Sequence, residues 1–215
     1  MYLKRQRAPK NWPITRKGTK YIIRGNSNLR NGVPLLILLR DSLGIVGSRK
    51  ELKKAMNQKN ILLNKKIINE DKIGVSLFDV VSLVSSGKNY IVNLSEKGIF
   101  CLEEISEKES NSKIAKVIGK KMLKGKKLQL NLSDGINFIS DMSCKVNDSV
   151  EVNFKENKIA KCVPLKEKTE ALVFAGKHSG KKGVIESINN VEKMVQLKLK
   201  DETIHALIKQ IMVLK

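Results

Sequence analysis

Cysteine is sparse in this sequence: Cys101, Cys144 and Cys162 are far apart, odd in number and include no C-x-x-C pair. With only two histidines beside them, a disulfide scaffold and a structural zinc are excluded, and a reducing cytoplasm fits. The three thiols are expected to be small buried hydrophobes. Long apolar runs are missing too. The longest, VPLLILL from Val33 to Leu39, is far short of the roughly 20 residues that span a bilayer, so no membrane partner is expected. The cationic start MYLKRQRAPKNW is not followed by an apolar stretch, so no secretory signal is expected either. Aromatics make up 4% of the chain, which weakens any mode of binding based on stacking single-stranded bases. His178 and His205 stand alone, and there is no G-x-G-x-x-G loop and no aspartate in a catalytic context. General acid/base chemistry has no constellation here, and neither a cofactor nor a small-molecule substrate is expected.

Acids are the other shortage. The 215 residues hold 42 Lys+Arg against 21 Asp+Glu, a net charge of +21, and the first acid is Asp41. A polyanionic partner is the economical reason to keep that much self-repelling charge on one chain. The charge is also clustered. Lys4, Arg5, Arg7, Lys10, Arg16, Lys17, Lys20, Arg24, Arg30 and Arg40 all precede Asp41, in a segment with Pro9, Pro13, Gly18, Gly25 and Gly32 and little periodicity before Tyr21. It reads as an extended arm, residues 1–32, of the kind that orders on its partner. Its Trp12 either stacks on a nucleotide or tucks against the body. A second run without acids, KIAKVIGKKMLKGKKLQL, carries Lys113, Lys116, Lys120, Lys121, Lys124, Lys126 and Lys127. Balancing acids gather in CLEEISEKES, so a basic face and a more acidic one are expected, the basic one buried against RNA.

From residue 33 to 88 the pattern is helix, helix, then strands. Pro34 suits the first turn of a helix, LLILLRD is apolar almost all round, and Gly44 can end it. Ser48 and Glu51 have the S-x-x-E spacing of a capping box, opening a second helix from Arg49 to about Lys59 that buries Leu52, Ala55 and Met56. Arg49, Lys50, Lys53 and Lys54 lie near its start, where the helix dipole disfavours cations, so something other than helix stability put them there. ILLNKKIIN then reads strand, turn, strand, with Asn64 tolerating positive φ and Lys65 and Lys66 at the tip. Two helices followed by such a hairpin resemble the S-four type of RNA-binding domain. A glycine commonly follows the turn asparagine in that family, and Lys65 stands there in this chain.

Over residues 89–168 the period is two. LQLNLSDGINFI alternates Leu128, Leu130 and Leu132 against Gln129 and Asn131, turns at Asp134-Gly135 and resumes with Ile136 and Phe138. DSVEVNFKENKIAKCV repeats the logic around Glu156-Asn157. A small central β-barrel buries one face of such strands. In residues 169–215 strands are expected at ALVF, GVIESI, MVQLKLK and IHALI, with turns at Asn189-Asn190 and Asp201-Glu202.

Between the first two of these lies GKHSGKKG. A P-loop needs G-x-x-x-x-G-K-[ST] leading into a helix, and here strand residues follow. The string resembles the KOW motif of SH3-like barrels in ribosomal proteins and transcription elongation factors. That resemblance implies that Gly176, Gly180 and Gly183 shape the loop, that Lys177, His178, Lys181 and Lys182 face phosphates, and that Val184 and Ile185 enter the core. The order of parts, with L-K-R-x-x-A-P-K-x-W at Leu3 to Trp12, resembles the archaeal and eukaryotic small-subunit ribosomal protein S-four family over nearly the full chain. The chain stops soon after its last barrel, as archaeal members do. The fold implied is α+β, mostly β: basic arm, S-four-type α/β domain, central small β-barrel, and C-terminal SH3-like KOW barrel. The function implied is a structural, rRNA-binding one in the small ribosomal subunit, in the cytoplasm, with neighbouring ribosomal proteins as further partners and no catalysis. The RNA-facing set comprises Lys4, Arg5, Arg7, Lys10, Trp12, Arg16, Lys17, Lys20, Arg24, Arg40, the helix cations Arg49, Lys50, Lys53 and Lys54, then Lys65, Lys66, Lys120, Lys121, Lys124, Lys177, His178, Lys181 and Lys182. A non-ribosomal transcription or translation factor built from the same parts is the alternative.

Overall fold

The computed structural model describes residues 3–26, 32–125, 127–140, 142–189, 191–199 and 202–214. Arg30, Lys126 and the turn positions Asn190 and Asp201 lie outside the described residues. The chain is mostly β with few helices and gathers into two compact units, Met1–Leu94 with Ile99–Asn111, and Ser95–Gly98 with Ser112–Lys215.

In the first unit, β1 (Leu3–Lys4) pairs antiparallel with β2 (Tyr21–Ile22), Leu3 opposite Ile22, and so closes the N-terminal segment into a loop. The expected extended arm is therefore folded across residues 3–22. β3 (Gly32–Pro34) ends in the proline, which stands just outside α1 (Leu35–Ile37). The helix continues through a π-helical turn, Leu38–Ser42, and Gly44 follows at φ +66°. Leu35, Leu36, Ile37, Leu38 and Leu39 are all buried, as an apolar-all-round helix must be. α2 (Arg49–Asn57) is capped by Ser48, whose hydroxyl accepts from the Glu51 N–H at 3.3 Å. The Glu51 carboxylate reaches back to the N–H of Gly47 at 2.8 Å, one residue beyond the Ser48 N–H of a standard capping box, and this bond holds its pKa below the usual carboxylate range. The helix stops before the expected Lys59, which takes φ +58°.

Then come β4 (Ile61–Leu63), β5 (Lys66–Ile67), β6 (Gly74–Ser76), β7 (Val80–Leu83), β8 (Lys88–Leu94) and β9 (Phe100–Ile105). β6 pairs with β3, and the others form a sheet in the order β5-β4-β7-β8-β9. The boundary expected between residues 88 and 89 is thus corrected. β8 pairs with β7 along Val80–Leu83 and with β9 along Phe100–Ile105, so one sheet runs through it. Period-two patterning marks strands but not the sheet they join.

The second unit contains β10 (Ser112–Met122), β11 (Leu128–Leu132), β12 (Asn137–Ile139), β13 (Ser149–Asn153) and β14 (Lys158–Val163), in the order β12-β11-β10-β13-β14. Gly135 at φ +87° and Asn157 at φ +53° turn the two hairpins where the sequence places them. Val117, Leu130, Leu132, Phe138, Cys144, Val150 and Val152 fill one core. A second sheet has the order β18-β17-β16-β15-β19, built from β15 (Glu170–Val173), β16 (Lys182–Asn189), β17 (Met194–Lys198), β18 (Thr203–Leu207) and β19 (Ile211–Val213). A 3-10 turn, Ile208–Gln210, carries β18 into β19, which returns to pair with β15. Ala171, Val173, Ile185, Val195, Leu197 and Ile211 form its core. Val184, expected in that core beside Ile185, is 42% exposed, because consecutive strand residues face opposite ways.

Candidate nucleic-acid interface

The N-terminal loop is organised around Arg5. Its Nε donates to the Thr19 carbonyl at 2.8 Å, one Nη to the Thr15 carbonyl at 2.7 Å and the other to Thr19 Oγ1 at 2.9 Å. Gly18 lies against this guanidinium at φ +139°; a Cβ there would meet Arg5 Cζ at 3.0 Å. Trp12, expected either to stack on RNA or to tuck in, is 2% exposed and donates its indole N–H to the Gly32 carbonyl at 3.1 Å. It is an anchor for the loop, which corrects its place in the RNA-facing set. Lys4, Arg7, Lys10, Arg16, Lys17, Lys20 and Arg24 are exposed, and Lys20 lies over the Tyr21 ring at 5.5 Å. Arg5, Lys10, Arg16 and Lys17 are brought together around one cavity of about 940 Å³. Arg5 also lines a smaller one, about 310 Å³, with Arg40, whose guanidinium is paired with Asp41 at 2.9 Å.

On α2, Lys50, Lys53 and Lys54 are exposed, but Arg49 is bound to the buried Asp71. Burial opposes ionisation of Asp71; the Arg49 hydrogen bond and charge, with the charge of Lys53, outweigh it and hold its pKa below the usual range. Part of the cation cluster that helix stability does not explain is thus an internal ion pair. At the hairpin tip, Asn64 and Lys65 both adopt positive φ, +50° and +62°, which keeps the tight turn without glycine. Asn64 donates to Asp79 at 2.8 Å and accepts from the Val80 N–H at 2.9 Å, so side chains fix the turn. Lys65 is half-buried and Lys66 exposed.

In the second unit the lysine run divides. Lys120, Lys121 and Lys124 are exposed at the end of β10 and just beyond it. Lys113 and Lys116 are 3% exposed, which removes them from any RNA-facing surface. Lys113 is paired with Asp134, while the Lys116 ammonium donates to the carbonyls of Ile208 and Ile211 and lies 5.8 Å from the Phe174 ring centre. Burial pulls its pKa down to about 8. Both lie on the first half of β10, which is covered on both faces; the run of cations conceals that in the sequence.

In the GKHSGKKG loop, Lys177 and Lys182 are exposed and His178 half-buried. Lys181 is paired with Glu202 at 2.9 Å. The glycines face protein. A Cβ on Gly180 (φ +92°) would stand 1.9 Å from the Ser95 carbonyl oxygen, one on Gly183 2.7 Å from that of Lys198, and one on Gly176 (φ +91°) 2.8 Å from the Gln210 side chain. Backbone packing within the second unit requires the smallness of Gly180 and Gly183, whereas Gly176 meets only the end of a flexible side chain and is favoured by its positive φ. Among the described residues no group of three metal-ligating side chains occurs, and no helix is long and apolar enough to cross a membrane.

This arrangement was compared with known proteins. The family model described as "Ribosomal family S4e" matches residues 86–159. Over 194 residues the chain is 35% identical to the small ribosomal subunit protein eS4 of Methanospirillum hungatei, covering 87% of this chain and 80% of that one. The chain belongs to the ribosomal S4e family. The eS4 protein of Nanoarchaeum equitans is 32% identical over 191 residues, 87% of this chain and 82% of its own. The crystal structure of the 30S ribosomal protein S4e of Thermoplasma acidophilum superposes with a TM-score of 0.74 at 25% identity, covering 86% of this chain and 95% of the other.

Sequence reasoning about this S4e chain missed Thr15 and Thr19, which hold Arg5, and Gln6 and Ile14, which line its cavity. It also missed Asp79. The only available signal was local: TRKGTK sets threonines and a glycine at turn spacing, ten and more residues from Arg5.

Proposed function

We propose that this protein is a structural constituent of the small ribosomal subunit, binding rRNA by electrostatic attraction and shape, without catalysis. The observation that carries the reading is the 35% identity over 87% of the chain to a protein named as a small-subunit component. The charge distribution agrees with it. Exposed cations occupy the N-terminal loop, the start of α2, the β4–β5 tip, the end of β10 and the glycine-rich loop. Within each unit these cations are carried by its own folded elements, so each unit by itself offers a preformed pattern of charge to phosphates.

Within that role, the first unit acts as the S-four-type RNA grip, with α2 and the β4–β5 tip as its contact edge. The sheet β18-β17-β16-β15-β19, with its 3-10 turn before the last strand, serves as the KOW-type SH3-like barrel. Of the loop residues, Lys177 and Lys182 supply the charge offered to RNA. Lys181 is already partly neutralised by Glu202, whose pKa its hydrogen bond lowers.

Sedimentation of an extract from the native source on sucrose gradients at moderate and high salt tests the proposal. The protein is expected to travel with small subunits and to stay through washes that strip loosely bound factors. Recovery at the top of the gradient would assign it instead to a free RNA-binding factor.

A further inference from the structure

We infer that the N-terminal loop is a preformed receptacle for one unpaired nucleotide of the bound RNA. The inference rests on the rRNA-binding reading above and adds where one base of that RNA is held. The loop lines a half-open cleft of about 940 Å³ with residues between Arg5 and Lys17. That is the size of cleft, about 300–1,000 Å³, that takes a compact organic ligand rather than a length of duplex.

The lining is divided in a way that suits a nucleotide. Arg5, Lys10, Arg16 and Lys17 contribute charge, no carboxylate is among the described lining residues, and Ala8, Pro9 and Ile14 contribute apolar surface. Four cations around one cavity repel one another, and an entering phosphate relieves that repulsion. A base is flat and has a large weakly polar face, which the apolar residues can cover. Arg5 is the fixed point: three of its five N–H donors are engaged by Thr15 and Thr19, so the guanidinium is oriented and the remaining two can meet a phosphate oxygen. The pairing of β1 with β2 and the Trp12–Gly32 hydrogen bond close the loop without help from any ligand. RNA is read through bases swung out of single-stranded loops and bulges, which is the form of nucleotide such a cavity admits.

The test uses the full chain bound to small-subunit rRNA. Gln6→Trp and Ala8→Phe each put bulk into the cavity without changing charge; Gln6 is exposed, so its replacement leaves the fold intact, and unaltered Trp12 fluorescence checks the Ala8 variant. Each variant is expected to bind about tenfold more weakly, the scale of one base contact. In dimethyl sulfate probing, one unpaired base protected in the wild-type complex should become reactive. Equal affinity and an unchanged reactivity pattern in both variants would overturn the inference while leaving rRNA binding intact. A wild-type chain that fails to bind the rRNA would remove the reading beneath it. Saturation by AMP at micromolar concentration, independent of RNA, would assign the cavity to a free nucleotide and also overturn it.

Discussion

Lys116 shows what a residue count conceals. In the sequence it is one of seven lysines in an acid-free run; in the fold it is a buried ammonium between two carbonyls. Its pKa is about 8 when folded and near 10.5 when unfolded, so between these values the unfolded chain binds more protons. The contribution of Lys116 therefore makes stability rise as pH rises from about 8 to 10.5, by an amount on the order of 3 kcal/mol. Denaturant titrations across that window should give a steeper pH dependence for the wild type than for Lys116→Met. The offset between the two curves carries a separate effect, because methionine removes the ammonium donor from both carbonyls, of which that of Ile208 still accepts from the Ile211 N–H. Parallel curves would show that the ammonium is not desolvated as described.

At the scale of elements, the hairpins were legible because each turn is written in a few adjacent residues. Asp134-Gly135, Glu156-Asn157 and Asn64-Lys65 all turn where expected. Helix α2 was legible for the same reason, since Ser48 and Glu51 are three residues apart. What adjacency does not encode was missed: the partner of β8, the closing of the arm, and the pairing of Arg49 with Asp71 across 22 positions. Among candidate site residues, exposure followed from sequence for most cations, Lys120, Lys121 and Lys124 included, but Arg5, Arg40, Lys65, His178 and Lys181 are half-buried. It failed at Trp12, where long-range packing decides. The β4–β5 turn permits a direct measurement. Lys65 holds φ +62°, a conformation that costs a side-chain-bearing residue about 1 kcal/mol, and Gly does not incur it. Lys65→Gly should raise the unfolding midpoint by a few degrees. A lowered midpoint would mean that the stem of Lys65, which is half-buried, contributes more than its backbone costs.

For the whole molecule, a net charge of +21 overstates the charge available to RNA by little, yet it misplaces it. Arg40, Arg49, Lys113 and Lys181 are paired with carboxylates and Lys116 is enclosed. Among the described residues, Lys4, Arg7, Lys10, Arg16, Lys17 and Lys20 of the N-terminal loop are exposed and stand in none of these ion pairs. If about eight phosphates are neutralised, log K should fall with log salt at a slope of about −6 to −7. Replacing Lys10, Lys17 and Lys20 by Gln should reduce that slope by about 2 to 3 and weaken rRNA binding more than replacing Lys181 and Lys182 does. Filter binding at four or five salt concentrations measures both. An equal or larger loss from the Lys181/Lys182 variant would move the main anchor to the second unit. Charge replacement is preferable to deleting the loop, since Leu3 and Trp12 are part of the core.

The closed N-terminal loop has a calorimetric consequence. A segment that folds only on its partner buries much apolar surface at that moment and gives association a large negative heat-capacity change, with a heavy entropic cost. Here Leu3, Trp12 and the Arg5 hydrogen bonds are already in place. The loop therefore adds little to the temperature dependence of the binding enthalpy. The encounter is governed by long-range attraction between an already folded cationic loop and RNA, so its rate varies with ionic strength far more than with temperature.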